Sequence, residues 1–132
     1  MMSNNWDIIP TVSIGDLKFG MDRIAVRKSL GKPKKTFSKT DDAVNTTDVY
    51  PDYHVYYTKD DKLEAVEFIR RDFSISINSQ RICPGTLNEA KRILPDLEES
   101  FGSFISKAGS IGICIEDDII ISLLAGSKDY YL

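Results

Sequence analysis

The chain is poor in the residues that most often carry chemistry. Its 132 residues include one histidine, two cysteines and one tryptophan. A lone histidine cannot build the usual zinc sets, and no CxxC or HExxH pattern occurs, so no metal or other cofactor is expected. Asp60-Asp61 and the acidic run at 116–118 lack the spacing of a calcium loop and read as hairpin turns. No apolar run approaches 18 residues, so neither a transmembrane helix nor a membrane partner is expected. The opening "MMSNNWDIIP" lacks a basic segment followed by a long apolar one, which predicts a cytoplasmic protein without a signal peptide.

Positive charge is not in excess either. Lys and Arg number 17 against 20 Asp and Glu, for a net charge of −3. A mildly acidic chain is a poor candidate for nucleic acid and a better one for a basic partner. Arg27, Lys28, Lys32, Lys34, Lys35 and Lys39 do cluster, but they read as a solvated helix end and a lysine-protected edge strand. Cys83 and Cys114 sit far apart beside apolar residues, as buried thiols do.

What is present is globular. Hydrophobic residues make up 42% and charged residues 28%, which fits a single domain over 1–132. Asp22 predicts a helix start, the helix running from Arg23 to Leu30, with Gly31 as its stop and Pro33 beyond. Val26 and Leu30 stand one turn apart and define its buried stripe. A helix of two turns is marginal alone, so it must pack on something larger. "YHVYYTKDDKLEAVEFIR" supplies that partner, a hairpin turning at Asp60-Asp61. Pairing Thr58 with Leu63 puts Tyr53, Val55, Val66 and Phe68 on one face and His54, Tyr56, Ala65 and Glu67 on the other. "KKTFSK", "TTDVY" and "FSISIN" read as further short strands.

The order then returns. "CPGTLNEAKRILP" has Thr86 and Glu89 at capping-box spacing, with Leu87, Ala90 and Leu94 as its stripe. "DLEESFG" reads as one more helical turn closed by Gly102. "IGICIEDDIIISLLAG" predicts a second hairpin at Asp117-Asp118. The helix entries are offset by 64 residues and the turns by 57. The expected fold is therefore α+β: an antiparallel sheet with short helices on one face, built from a degenerate tandem helix-plus-meander repeat over about 12–70 and 73–132.

"IGDLKFGMDRIAVRKSLGKP" followed by "VYYTKDDKLEAVEF" resembles the repeat of the β-lactamase-inhibitor-protein-like and SmpA/OmlA-like families. The matching residues are Phe19, Gly20, Met21, Val26, Leu30, Gly31 and Pro33. The resemblance is good over 14–70 and faint over 73–125, where the Phe-Gly-Met and Leu-Gly entries are missing. It implies a non-enzymatic module whose concave sheet face grips a protein. Together with the acidic balance and the missing export signal, it leads us to expect a bacterial immunity protein that neutralises a toxin such as a basic domain. The expected partner-binding residues are the anchors Tyr50, Tyr53, His54 and Tyr56 and the acidic residues Asp60, Asp61, Glu64, Glu67, Asp117 and Asp118.

Two alternatives stand beside this reading, the first from the residues and the second implied by the resemblance. His54 opposite Glu67 could be an oriented base in a small enzyme or ligand-binding site, although a cross-strand polar pair is the simpler reading. An envelope assembly module with its export signal missing is the other. The second hairpin is apolar on both faces. Ile111, Ile113, Ile115, Ile120 and Leu124 share one side, either as a patch for self-association or as one face of a buried central pair.

Overall fold

A computed structural model describes residues 5–38, 46–69 and 73–131. Lys39 and residues 1–4, on which the basic cluster and the leader reading drew, lie outside them. The first strands are β1 (Asn5–Ile9), β2 (Ser13–Ile14) and β3 (Leu17–Lys18), followed by helix α1 (Arg23–Leu30). Then come β4 (Lys35–Ser38), β5 (Thr46–Val49), β6 (Tyr53–Tyr57), β7 (Leu63–Phe68), β8 (Ser74–Ile77) and β9 (Gln80–Cys83). Helix α2 (Leu87–Ile93) leads into β10 (Glu98–Ser100), β11 (Ser103–Ser106), β12 (Ile111–Glu116) and β13 (Ile119–Gly126). The strands form an eight-stranded sheet ordered β10-β11-β12-β13-β7-β6-β5-β4 and a five-stranded sheet ordered β3-β2-β1-β8-β9. The class is α+β and mostly antiparallel, as expected. The smaller sheet was not foreseen, although the alternating burial of Trp6 and Ile8 along β1 carries the period of a strand.

Both helices keep their expected starts. Asp22 stands at the N-cap of α1 with an extended backbone, but its side chain makes no cap hydrogen bond. It pairs with Lys62 instead. Gly31 ends the helix at φ +89°, a region glycine enters without penalty. Its N–H donates to the Arg27 carbonyl at 2.7 Å. Thr86 and Glu89 close a full capping box: Glu89 N donates to Thr86 Oγ1 at 3.2 Å and Thr86 N to Glu89 Oε1 at 2.9 Å.

The first hairpin pairs Tyr53 with Phe68, His54 with Glu67, Val55 with Val66 and Tyr56 with Ala65, as the sequence suggests. Thr58 does not pair with Leu63. Glu64 is an extra residue in β7, and this bulge sets Leu63 opposite Tyr57 on the inner face.

Two other expectations are corrected. "DLEESFG" is not helical: β10 and β11 form a hairpin whose turn residues Phe101 and Gly102 take φ of 49° and 86°. Two successive left-handed residues make the tight turn that suits the twist of a hairpin. The isoleucine side of the second hairpin is not a patch. Ile111, Ile113 and Ile120 are fully buried in the core, so these three offer no surface for self-association. Ile121 is an extra residue in β13, which shifts the parity so that Leu123 and Ala125 face inward and Leu124 outward.

One hydrophobic cluster draws on both helices and both sheets, all against the inner face of the larger sheet. Trp6 meets Tyr53 and Phe68 edge-on at 5.4 and 5.2 Å between ring centres. Lys91 of α2 lies 5.7 Å over the ring of Phe104.

Asp48 holds α1 to this face. It is paired with Val55, so its side chain enters the core side, where it is wholly buried. Arg27 donates to it through Nε at 2.8 Å and Nη2 at 2.6 Å, Arg23 through Nη2 at 2.6 Å and the Tyr57 hydroxyl at 3.0 Å. Burial alone would raise this carboxyl, but Arg27, Arg23 and Tyr57 outweigh it and hold the group below the usual carboxylate range. Asp48→Asn leaves Arg27 without a counter-charge and Arg23 with only the exposed Asp61. Discounted for the half-exposure of Arg27, the loss should be about 2–3 kcal/mol in urea unfolding at neutral pH. The Asp48 contribution is complete above the ordinary carboxylate pKa of about 4 and is lost as pH falls through the lowered native value. The gap between wild type and Asp48→Asn should therefore close on acidification.

Candidate functional site on the outer sheet face

The opposite face of the eight-stranded sheet is where alternate residues of every strand point away from the core. Lys35 stands opposite Val49, Val49 opposite His54, and His54 opposite Glu67. Glu67 faces Leu124, Leu124 faces Gly112, Gly112 faces Ile105, and Ile105 faces Glu98. One transverse row thus crosses all eight strands, about 34 Å at the usual spacing.

Aromatic and polar groups gather on the β4–β7 half. Phe37 meets His54 edge-on at 5.7 Å, and His54 meets Tyr56 at 6.5 Å. The Tyr56 hydroxyl donates to Glu67 Oε1 at 2.6 Å. Burial, followed by that bond to Glu67, pushes the Tyr56 hydroxyl well above its usual range.

The turn at 127–131 covers part of the β12–β13 half. Ser127 N donates to the Glu64 carbonyl at 2.8 Å, which starts the fold-back. Tyr130 then lies over Gly126 and Tyr131 over Gly112, so closely that a methyl group on either glycine would overlap the ring or its hydroxyl. The two rings touch edge-on at 5.1 Å. Beside Tyr131 is a cleft of about 260 Å³ whose lining includes Glu67, Phe101 and Cys114.

The expected site residues divide accordingly. His54, Tyr56 and Glu67 come together on the outer face. Tyr50 and Tyr53 do not: they are 4% and 8% exposed and stack on each other at 5.0 Å inside the core, so they cannot anchor a partner. The Tyr50 hydroxyl donates to the Gly31 carbonyl at 2.8 Å, a structural use for its polar tip. Glu64 is the half-buried bulge residue. Asp60 and Asp61 are exposed in the β6–β7 turn, where the Asp61 carboxylate takes Arg23 Nη1 at 3.2 Å. Asp117 and Asp118 are exposed in the β12–β13 turn. Because β7 and β13 run antiparallel, the two acidic turns lie at opposite ends of the sheet and form no single patch.

Sequence reasoning missed Phe37 and Phe101 on this face and Asp48 behind it, and it grouped Leu124 with isoleucines that the core buries. The Phe101-Gly102 pair between alternating residues was a usable hairpin signal; nothing local distinguished Asp48 from a surface acid. A Cys–His site is excluded by geometry. Cys114 lies three strands from His54, more than about 14 Å away, and Cys83 is in the other sheet. Among the described residues no three metal-ligating side chains gather, and no helix is long and apolar enough to cross a membrane. Comparison of the chain with family models, curated proteins and solved structures finds no match.

Gly112→Ala should displace the turn at 127–131. We expect faster amide exchange over those residues and a stability loss of about 1–3 kcal/mol, the scale of an overpacked site. Burial raises the hydroxyls of all six tyrosines, with Tyr50 and Tyr53 pushed up to about 12. A group raised in the folded state stabilises fully below its unfolded pKa, about 10 for tyrosine, and loses that contribution as pH rises through the native value. Stability should fall steadily above pH about 10, and tyrosinate absorbance should appear late and together with unfolding.

Proposed function

We propose that the chain is a non-enzymatic protein-binding module that uses the outer face of its eight-stranded sheet, and that it acts as a bacterial immunity protein against a toxin. The observation that carries this reading is the face itself: eight strands wide, half-exposed, and furnished with Phe37, His54, Tyr56, Glu67 and Tyr131. Aromatic residues with a polar tip are the side chains interfaces favour.

The kinship with β-lactamase-inhibitor-protein-like repeats is part of the proposal, as is a degenerate duplication over 12–70 and 73–132. Its support is positional. Arg23 N donates to the Asp61 carbonyl and Leu63 N to the Met21 carbonyl. Leu87 N donates to the Asp118 carbonyl and Ile120 N to the Gly85 carbonyl. These bonds correspond at offsets of 64 for the helix entries and 57 for the hairpins. The isolated bridges Asp22–Lys62 and Thr86–Ile119 correspond in the same way. In each half, the four strands after the helix form half of the larger sheet, and the halves meet at β7 and β13.

The test is to express the product of the adjacent open reading frame with and without this protein. Toxicity alone, with rescue and a stable complex on co-expression, is expected. His54→Ala and Tyr56→Ala should each weaken the complex at least 10-fold, about 1.4 kcal/mol, while Lys28→Ala on the helix side should not. A harmless or non-binding neighbour would remove the immunity reading. A complex indifferent to both face variants would move the interface elsewhere.

A further inference from the structure

The cleft beside Tyr131 has a charge and shape that specify more than a flat interface does. Its volume of about 260 Å³ falls below the roughly 300–1,000 Å³ of small-molecule sites and suits a single side chain. Among the described residues, Ile105 and Leu124 give it apolar surface, Ser103 a hydroxyl and Glu67 its one charge, and no lysine or arginine lines it. Among the described residues Glu67 forms no ion pair. The Tyr56 hydroxyl, donating to Oε1, fixes the carboxylate in place. The adjoining cleft, which shares Ser100 and Ile105, is lined among the described residues by Asp96, Glu98 and Glu99 against Lys107.

Phe101 is the second, independent observation. It stands at the rim, fully exposed, with φ +49°. A bulky residue in the left-handed region is strained, and the turn would be better served by asparagine or glycine. An aromatic ring held out at a local cost at the rim is placed to cover the apolar stem of a side chain that enters the cleft toward Glu67.

We propose that this cleft receives a lysine or arginine side chain presented by a protruding loop of the protein partner. The stem lies on Ile105 and Leu124 with Phe101 over it at the rim, and the cation meets Glu67. The inference rests on the protein-binding reading above and adds the chemistry of what is bound.

It can be tested on the isolated full chain by following backbone amide resonances during titration with Nα-acetyl-arginine amide and with its neutral isostere Nα-acetyl-citrulline amide. Saturable shifts confined to the cleft are expected. The arginine probe should bind about 10-fold more tightly than citrulline, and Glu67→Gln should bring that ratio close to one. Phe101→Ala should weaken the arginine probe several-fold without changing the shifts of the core. Equal affinity for the two probes, shifts centred on the Asp60-Asp61 or Asp117-Asp118 turns, or no saturation by about 100 mM would overturn the proposal. No partner is needed, so failure here alongside a productive co-expression complex removes only the cleft chemistry. Arginine binding without such a complex would leave the cleft standing and remove the immunity reading.

Discussion

The buried carboxylate of Asp48 is the constraint around which the first half of the molecule is arranged. A charge with no exposed surface is tolerated only when fully partnered, and here the partners come from two directions. Tyr57 reaches it from the neighbouring strand, and Arg23 and Arg27 reach it from α1. Arg23, Arg27 and Gly31 are spaced four residues apart, so they fall along one side of the helix. All three are held, the last through the Tyr50 hydroxyl on its carbonyl. The helix is thereby fixed in rotation as well as position, which a stripe of Val26 and Leu30 alone would not achieve. Arg23 also lies over the Tyr57 ring at 4.4 Å, so its cation is desolvated against an aromatic face while it serves the carboxylate.

Helix α2 reaches a similar place by other means. Its start is fixed by the reciprocal bonds of Thr86 and Glu89, and its seat by Ala90 and Leu94. Both helices then join the turn of a hairpin through backbone bonds, Arg23 to Asp61 and Leu87 to Asp118. The aspartates in those turns therefore have a local role whatever they contribute at longer range. With helices and the smaller sheet all on one side, the other side of the eight strands is left to alternate residues that need satisfy only themselves or a visitor.

Much of this was legible locally. Asp22, Gly31 and Pro33 mark α1, and Thr86 with Glu89 marks α2, because caps are short-range chemistry. Four of the pairs in the first hairpin follow from the Asp60-Asp61 turn and the alternation around it. What failed was parity over distance. A single extra residue, Ile121, reverses which of Leu123 and Leu124 faces the core, and no propensity reveals it. Tyr50 and Tyr53 read as interface residues because a tyrosine sequence pattern does not say which end of the side chain is wet. Asp48 could not be recognised because its arginines are more than 20 residues away in the chain. On the candidate site, His54, Tyr56 and Glu67 were readable as one strand face. Phe101 and Tyr131 join them only through the fold.

The close seating of Tyr130 on Gly126 and Tyr131 on Gly112 has a consequence for how such a protein can diverge. Neither glycine can acquire a side chain while the rings remain, and without the rings two glycines would only weaken the strands that hold them. The four positions therefore form one heritable unit, in which single steps are penalised and only joint replacement is open. Descendants should keep all four or lose all four, so the outer face would change by switching between a covered and a bare form rather than by gradual drift.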